Sequence, residues 1–383
     1  MNNPQYRFSR HSHHFVGRDL EPTLWQRIHI DPWLALLLLS ICFIGLTVLY
    51  SASTQDMSMV IRQIISYGIA FFIMGIMAQI PPNFYRTLTP IFYILGLISL
   101  VLVEVIGETR MGAQRWINIP GFGSVQPSEF MKLGMPMMCA WFLSKRELPP
   151  NIITIIITLT IVAVPTLLIA IEPDLGTSIL VAASGLFVLF LAGLPWWIIG
   201  GAFALSIPFL WIMWNFLMHD YQKTRVITLF DPESDALGKG WNIIQSQTAI
   251  GSGGLTGKGY LEGTQSHLHF LPEGHTDFII AAFSEEFGLA GVLLLLFLYV
   301  CLLMRSFYIA FVNPDIYCRL LAGALAMSFF VYIFVNMGMV GGILPVVGVP
   351  LPFISYGGTA IITLMAGFGL LTSIHTHQQS NTY

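Results

Sequence analysis

The feature that most limits how this chain can fold is the recurrence of apolar stretches long enough to cross a membrane. The run GVLLLLFLYVCLLM, residues 291–304, has no charged side chain, and similar runs follow one another along most of the sequence. Only 10% of the 383 residues are charged, whereas soluble domains contain about a quarter. Because helices satisfy their own backbone hydrogen bonds in lipid, the sequence predicts an all-α polytopic membrane protein.

Ten apolar runs are close to the length of about 20 residues that a membrane-spanning helix requires. They cover residues 33–52, 59–80, 89–107, 128–144, 151–171, 176–194, 196–218, 278–304, 320–341 and 355–374. The fourth is the weakest candidate because Glu129 and Lys132 lie near its start. We therefore predict ten transmembrane helices and one integral membrane domain, residues 1–383.

The loops differ in their content of Lys and Arg, which predicts the orientation of the spans. With the N-terminal segment 1–32 in the cytoplasm, the cytoplasmic side carries the larger group: Arg7, Arg10, Arg18, Arg27, Arg86, Lys145, Arg146, Arg305 and Arg319. The outer side carries Arg110, Arg115, Lys223, Arg225, Lys239 and Lys258, and the last four share one long loop. An even number of spans then places both termini in the cytoplasm. The net charge of -3 gives no indication of a nucleic-acid partner.

One long connection, residues 219–276, is predicted to be a large extracytoplasmic loop. Within it, WNIIQSQTAI has the spacing of a short amphipathic helix at the membrane surface. The GSGGLTGKGYLEG that follows predicts tight glycine turns that present Lys258. Loop composition favours a plain connection here, and a phosphate-binding nest of backbone amides is the alternative.

A second unusual segment, GGILPVVGVPLPFISYGG at residues 341–358, has no charge and is interrupted by Pro345, Pro350 and Pro352. These prolines exclude a continuous helix. Its central part, residues 342–354, is either an extracytoplasmic hairpin or a re-entrant wall of a substrate cavity. We favour the re-entrant structure because a hairpin does not need so many apolar or small residues.

Polar side chains gather beside the predicted spans on the outer side. Arg115 and Trp116 lie in a turn-rich loop, and Glu129 and Lys132 follow at helical i, i+3 spacing. An ion pair at a helix start and a functional pocket explain this spacing equally well. Asp174, in IEPDLGTS, is most simply the cap of the next helix.

The stretch LPEGHTDFIIAAFSEEFG, residues 271–288, places three carboxylates at the outer end of a span. On a helix that starts near Asp277, Glu285 lies about 12 Å further along the axis, and Glu286 lies roughly on the opposite face from Asp277. The three acids therefore cannot form one compact metal cage, and no metal-ligand set is predicted. Asp277 is a candidate general base, with a dipole-stabilised helix-start charge as the alternative. Glu285 is expected to shape a cavity and Glu286 to be structural.

These residues together resemble a known family. NMGMVGGILPVVGVPLPFISYGGTA, residues 336–360, is similar to the C-terminal signature of the SEDS proteins (shape, elongation, division and sporulation). Further matches are GAQRWI, QPSEFMKL, PDLGTS, DPESDALGKGWNIIQSQTAIGSGGLTGKG and GTQSHLHFLPEGHTDF, which together cover nearly the whole chain. The long loop resembles the cell-elongation branch more than the cell-division branch. Glu172 and Ile280 depart from the expected Gln and Phe.

The resemblance implies a SEDS-type helix bundle and an inverting peptidoglycan glycosyltransferase of the bacterial cytoplasmic (inner) membrane. Such an enzyme polymerises undecaprenyl-diphosphate-linked lipid II into β-1,4 glycan at the outer face, for cell-wall elongation and rod shape. A class B penicillin-binding protein and other elongation-complex proteins are the expected partners. The family's essential acid corresponds to Asp277. The expected substrate-binding residues are Arg115, Trp116, Glu129, Lys132, Lys258, Glu285 and Ser355.

The reaction that the resemblance implies needs a base for the acceptor hydroxyl and positive charge beside the leaving diphosphate. Asp277 would be the base, and Arg115, Lys132 and Lys258 would hold diphosphates. A divalent cation, Mg²⁺ or Mn²⁺, is a candidate cofactor, and no organic cofactor is expected. Apolar furrows between spans would hold the polyprenyl tails. Two alternative functions are a lipid II flippase and a non-catalytic scaffold for the transpeptidase.

Overall fold

The computed structural model describes residues 28–110, 113–119, 123–172, 174–218, 220–231, 239–264 and 274–380. Twelve α-helices lie in this part of the chain. They are α1 Pro32–Ala52, α2 Met57–Gln79, α3 Pro82–Ile106, α4 Pro127–Leu143, α5 Ile152–Ile171, α6 Leu175–Leu191, α7 Trp196–Ile212, α8 Asp220–Phe230, α9 Lys239–Gly253, α10 Ile279–Val312, α11 Ile316–Val340 and α12 Gly358–Ser380. A π-helical turn, Met213–Leu217, extends α7. Most of the predicted N-terminal segment 1–32 lies outside the described residues.

The predicted all-α architecture is confirmed, and each of the ten predicted spans coincides with a helix. Within the described residues, eight helices are long and apolar enough to cross a membrane, namely α1, α2, α3, α5, α7 with its π turn, α10, α11 and α12. The other two, α4 and α6, have 17 residues each. The count of ten crossings and the cytoplasmic placement of both termini stay predictions.

The centre of the bundle is formed by α11 and α12. Most of the apolar window of each is buried, whereas less than a third of it is buried in α2, α3 and α10. Helix α12 packs along α2, and α11 packs between α10, α6 and α4. By contrast, none of the apolar window of α7 is buried among the described residues. The bundle therefore has a well-packed centre beside one helix that presents its side chains outward.

A small antiparallel sheet of three strands connects α3 to α4, where the sequence indicated only a turn-rich loop. Its strands are β1 Glu108–Arg110, β2 Ala113–Ile119 and β3 Gly123–Val125, in the order β1-β2-β3. Gln114 fastens β2 to the end of α3, because its amide donates to the carbonyls of Val103 and Gly107 at 3.0 and 2.9 Å. Two of these strands have three residues each, too short for an alternation signal, which explains why the sequence pattern did not reveal the sheet.

Residues 341–357, between α11 and α12, are non-helical, as their prolines predicted, and residues 351–355 are buried. Side chains of the bundle bind the carbonyls of this segment. Tyr67 donates to Phe353 O at 2.7 Å, and Tyr299 donates to Pro352 O at 2.6 Å. Because irregular backbone at membrane depth must be satisfied by protein, these bonds favour the re-entrant structure over a simple hairpin. We refer to residues 341–357 as the re-entrant segment, after the arrangement that the sequence favours, and the depth of the segment in the membrane stays a prediction.

The amphipathic helix expected in the long loop is present as α9, although its surroundings differ from the expectation. Ile243, Ser246 and Ala249 form a buried stripe along α9. That stripe packs against α10 and, less extensively, α11. Contact with the protein bundle therefore accounts for the apolar spacing that was interpreted as membrane-surface binding.

Candidate active site

Asp277 lies in a turn, residues 274–278, immediately before α10 begins at Ile279. The sequence prediction started the helix near Asp277, so this acid lies just outside the helix rather than in its first turn. The Asp277 side chain is half-buried. On one side it faces Gly348 of the re-entrant segment, where an added Cβ would lie 3.4 Å from Asp277 Oδ2. The carboxylate is therefore at the junction of the turn and the re-entrant segment.

The turn is attached to the C-terminal signature at three consecutive carbonyls. Tyr356 N donates to His275 O at 3.0 Å, and Ser355 Oγ donates to Thr276 O at 2.7 Å. Asn336 Nδ2 donates to Asp277 O at 2.9 Å. The turn at 274–278 and the signature at 336–356, whose bonded residues are about 60 or more positions apart in the sequence, thus meet at the candidate base.

Glu285 and Glu286 are separated from Asp277 and from each other, as the helical spacing predicted. Glu285 is fully buried and accepts from Lys258 Nζ at 2.6 Å. The same oxygen accepts from Thr264 N at 2.8 Å and from Thr264 Oγ1 at 3.0 Å. Glu286 is also buried and accepts a hydrogen bond from Ser51 of α1. Both acids therefore join α10 to other parts of the fold.

The glycine-rich turns before residue 264 use their backbone amides to bind protein carbonyls. Lys258 N donates to Glu285 O at 3.0 Å, and Gly259 N donates to Glu286 O at 3.1 Å. Gly288 breaks the geometry of α10 with φ +63°, and a Cβ there would lie 2.3 Å from Gly257 N. This close backbone approach requires glycine. These contacts support the plain connection over the phosphate-binding nest.

Arg115 and Asp174 form a second polar group, where α5 ends and α6 begins. Asp174 caps α6 by accepting from Thr177 N at 3.2 Å, which confirms the predicted cap. It also accepts from Gln126 at 2.9 Å and lies 4.0 Å from Arg115 Nη1. Arg115 Nε donates to Glu172 O at 3.2 Å. The Arg115 side chain thus lies near the Asp174 carboxylate and the backbone carbonyl of Glu172, and it remains partly exposed. Its neighbour Trp116 is half-buried in β2.

Glu129 and Lys132 form an ion pair in the first turns of α4, which was one of the two explanations of their spacing. Lys132 Nζ lies 2.5 Å from Glu129 Oε1, and both side chains are about 10% exposed. The Lys132 ammonium also lies 5.4 Å from the centre of the Tyr332 ring on α11. The pair is therefore tied to the central helix of the bundle.

The re-entrant segment lies between these groups. Val347 O lies 2.9 Å from the position of a Cβ on Gly176, at the start of α6. Val349 packs with Tyr332 and Leu180, and its carbonyl accepts from Asn336 at 2.7 Å. The structure thus connects the Lys132 and Asp174 groups to Asp277 through the segment. The Lys258–Glu285 pair is instead attached to α10 further from the turn.

Several of these residues were not identified from the sequence as functional. Asn336 was recognised only as the first letter of the signature, and Tyr332 and Thr264 were not singled out. Buried polar residues within apolar helices are a signal that would have identified Asn336. Tyr332 and Thr264 acquire their contacts only through tertiary packing. Among the described residues, no group of three or more His, Cys, Asp or Glu side chains comes together as a metal site.

Two apolar furrows lie close to the re-entrant segment. One, of about 380 Å³, lies between α9, α10 and α11 and includes Ile280, three residues after Asp277. The other, of about 800 Å³, lies between α1 and α2 and includes Tyr67, which binds the segment. Both furrows have the apolar lining that a polyprenyl chain requires.

The sequence is similar, over most of its length, to a known protein family and to individual relatives. The profile of the FTSW_RODA_SPOVE family, described as cell cycle protein, matches residues 32–380. The chain is 53% identical over 357 residues to "Peptidoglycan glycosyltransferase MrdB" of Escherichia coli (strain K12), covering 93% of this chain and 96% of MrdB.

Two solved structures are similar in fold. A chain of a peptidoglycan synthase complex, described as coordinating polymerization and crosslinking, matches with a TM-score of 0.80 and 29% identity. That match covers 91% of this chain and 98% of the other. The rod shape determining protein RodA of Thermus thermophilus matches with a TM-score of 0.68 and 28% identity, over 90% and 96% of the two chains.

Proposed function

The chain belongs to the family of FtsW, RodA and SpoVE, also known as SEDS proteins, and on this premise we propose how its residues perform the reaction. It is a multi-pass peptidoglycan glycosyltransferase of the bacterial inner membrane that polymerises lipid II. The observation that carries this function is the 53% identity with MrdB over 93% of the chain. A class B penicillin-binding protein is its partner, in keeping with the similarity to a chain of a peptidoglycan synthase complex.

Asp277 is the general base in the proposed mechanism. It takes the proton from the 4-hydroxyl of the acceptor sugar while that oxygen forms a bond to the anomeric carbon of the donor. The bond from that carbon to the diphosphate breaks at the same time, and the lipid diphosphate leaves with the electron pair. One displacement converts the α-linked donor into a β-1,4 linkage. The leaving diphosphate needs no proton, so one carboxylate is sufficient.

The developing charge on the diphosphate requires nearby cations, and Arg115, Lys132 and Lys258 are the proposed residues. Arg115 is the first of these, because its side chain is partly exposed beside Asp174 and carries a planar guanidinium. A guanidinium can also bind a diphosphate with two parallel hydrogen bonds. Lys132 and Lys258 already pair with Glu129 and Glu285 at 2.5 and 2.6 Å. Each lysine would therefore have to interact with its carboxylate and with a diphosphate at the same time.

Trp116, Glu129, Glu285 and Ser355 complete the set of residues proposed to form the substrate site, either by contact with substrate or by support of the residues that bind it. Trp116 follows Arg115 in β2, and Glu129 sets the direction of the Lys132 ammonium. Glu285 holds Lys258 and Thr264 and so shapes the wall beside α10. Ser355 lies two residues after Phe353 and contacts the Thr276 carbonyl next to Asp277.

A divalent cation, Mg²⁺ or Mn²⁺, is proposed as an accessory to the diphosphate. Magnesium is usually held by one or two carboxylates together with substrate phosphates, so it does not require a dedicated protein cage. Asp277 is the partly exposed carboxylate that could contribute one ligand in this way. The cation would supply charge neutralisation on the diphosphate. Removal of divalent cations with EDTA should then lower the polymerisation rate, and added Mg²⁺ or Mn²⁺ should restore it.

The roles are tested by resolving glycan products on gels, from purified protein and lipid II with and without the transpeptidase. Asp277→Asn keeps the size of the side chain and removes its basicity, so we expect the rate to fall by about 10²–10⁴-fold. Asp56→Asn is the matched control, because Asp56 is a partly exposed helix cap on the same predicted face. Loss of activity in both variants, or in neither, would contradict the assignment of Asp277.

A further inference from the structure

The backbone that carries Asp277 is held from outside its own helix. The carbonyls of His275, Thr276 and Asp277 accept, in order, from Tyr356 N, Ser355 Oγ and Asn336 Nδ2, at 3.0, 2.7 and 2.9 Å. These three residues precede Ile279, where the regular hydrogen bonding of α10 begins. The orientation of the turn therefore depends on contacts with the C-terminal signature.

Asn336 joins three parts of the fold. It is fully buried on α11, and its amide nitrogen donates both to Asp277 O and to Val349 O, at 2.9 and 2.7 Å. An amide nitrogen has two hydrogens, so both donors are used. One side chain thus fixes the turn to the re-entrant segment on the side where Gly348 faces the Asp277 carboxylate.

Ser355 has a similar arrangement on the other side of the turn. Its hydroxyl donates to Thr276 O at 2.7 Å and accepts from Leu351 N at 2.8 Å. The residue is 2% exposed. Because the hydroxyl hydrogen is already donated to the turn, direct binding of a sugar by this group would require the contact with Thr276 to break.

We propose that Asn336 and Ser355 are positioning residues that fix the direction in which the Asp277 carboxylate leaves the backbone. This inference rests on the proposed role of Asp277 as the base. Proton transfer requires the carboxylate within hydrogen-bond reach of the acceptor hydroxyl, and a displacement of about 1 Å can lower a rate about 10²-fold. Neither residue needs to touch the substrate for its loss to slow the chemical step.

The test compares Asn336→Leu and Ser355→Ala with Tyr299→Phe, in the complex with the transpeptidase. Tyr299 binds Pro352 O of the same segment with a buried hydrogen bond and, within the described part of the chain, makes no hydrogen bond to residues 275–277, so it is a control for segment stability. Ser355→Ala is the milder change and keeps the test decisive if Asn336→Leu does not fold. The measurements are kcat, KM for lipid II, the pH dependence of kcat and the melting temperature.

We expect kcat to fall about 10- to 100-fold in the two positioning variants, with KM within about twofold and a displaced pH dependence of kcat. Tyr299→Phe should lower the melting temperature and leave kcat and its pH dependence unchanged. A rise in KM with unchanged kcat in Ser355→Ala would overturn the proposal and favour direct substrate binding. Equal effects of all three variants on kcat would also overturn it.

Failure of the base assignment gives a different result. If Asp277→Asn polymerises lipid II at the rate of the unmodified protein, the proposed function of Asp277 is wrong whatever the positioning variants do. If Asp277→Asn is inactive while Asn336→Leu and Ser355→Ala keep the unmodified kcat and pH dependence, only the positioning inference is wrong.

Discussion

Glu172, which follows the last residue of α5, is a buried acid. It is 2% exposed, and neither carboxylate oxygen has a partner among the described residues. Burial, together with the negative charges of Glu104 and Asp174, raises the pKa of Glu172 from 4.5 to about 8, although the Arg115 charge opposes this shift. The protonated form is therefore favoured in the folded protein at neutral pH.

This shift predicts a pH-dependent stability. Between about pH 4.5 and 8 the folded state binds more protons at Glu172 than the unfolded state, so the free energy of unfolding falls as the pH rises. Glu172→Gln, which restores the residue expected from the family pattern, removes this titration. We expect the variant to have a flatter dependence of melting temperature on pH and to be the more stable form at pH 8. Parallel curves for the two proteins would contradict the raised pKa.

At the same scale, side-chain contacts that depend on local spacing could be predicted from the sequence, whereas contacts between distant residues could not. Asp174 was predicted as a helix cap and Glu129 with Lys132 as an ion pair, because both depend on local spacing. The contacts of Asn336 and Ser355 could not be predicted, since each joins residues that are distant in the sequence. Hydrogen bonds of this kind are set by tertiary packing.

At the scale of structural elements, the loop before α10 contributes to the stability of that helix through an ion pair. The Lys258–Glu285 pair closes this loop onto the helix, and Glu285 is fully buried while Lys258 is partly exposed. Removing Lys258 leaves the buried Glu285 charge uncompensated, and about 3–5 kcal/mol, the cost for a fully buried pair, is an upper bound here because Lys258 is partly exposed. The pair therefore has a structural role in addition to any contact with substrate.

We predict that Lys258→Met and Glu285→Gln each lower the free energy of unfolding, and that the double variant loses much less than the sum. The reason is that the double variant leaves no unpaired buried charge. A double-mutant cycle on chemical unfolding measures this coupling. Additive effects of the two substitutions would show that the pair contributes nothing beyond its separate side chains.

The elements themselves were predicted with unequal success. The ten long apolar runs gave helices because hydrophobic length is a strong signal. The prolines at 345, 350 and 352 correctly indicated irregular backbone in the re-entrant segment. The sheet of β1, β2 and β3 was missed because two of its strands have three residues each. The environment of α9 was also misassigned, since an amphipathic pattern does not distinguish lipid from a neighbouring helix.

At the scale of the whole molecule, the number of membrane crossings decides whether Asp277 faces the outer side. Helices α4 and α6 would each be about 26 Å long, slightly less than a hydrocarbon core of about 30 Å. Small mismatches of this kind are accommodated at modest cost by the bilayer or by flanking residues. Ten crossings are therefore physically compatible with the observed helix lengths.

Reporter fusions test this topology in cells. We expect a reporter that is active only in the cytoplasm to function after residues 145–148 and at the C-terminus. A reporter that is active only outside the membrane should function within residues 219–276, because the Lys and Arg distribution places that loop outside. Cytoplasmic activity of a fusion in residues 219–276 would place Asp277 on the wrong side for the proposed reaction.

The most direct test of the central claim is the rate at which Asp277→Ala polymerises lipid II in the presence and absence of formate. Truncation to Ala removes the base and leaves space beside Gly348 for a small carboxylate. We predict a loss of about 10²–10⁴-fold without formate and a partial, concentration-dependent recovery with it, whereas Asp277→Asn should not recover. Polymerisation by Asp277→Ala at the unmodified rate without formate would contradict the account.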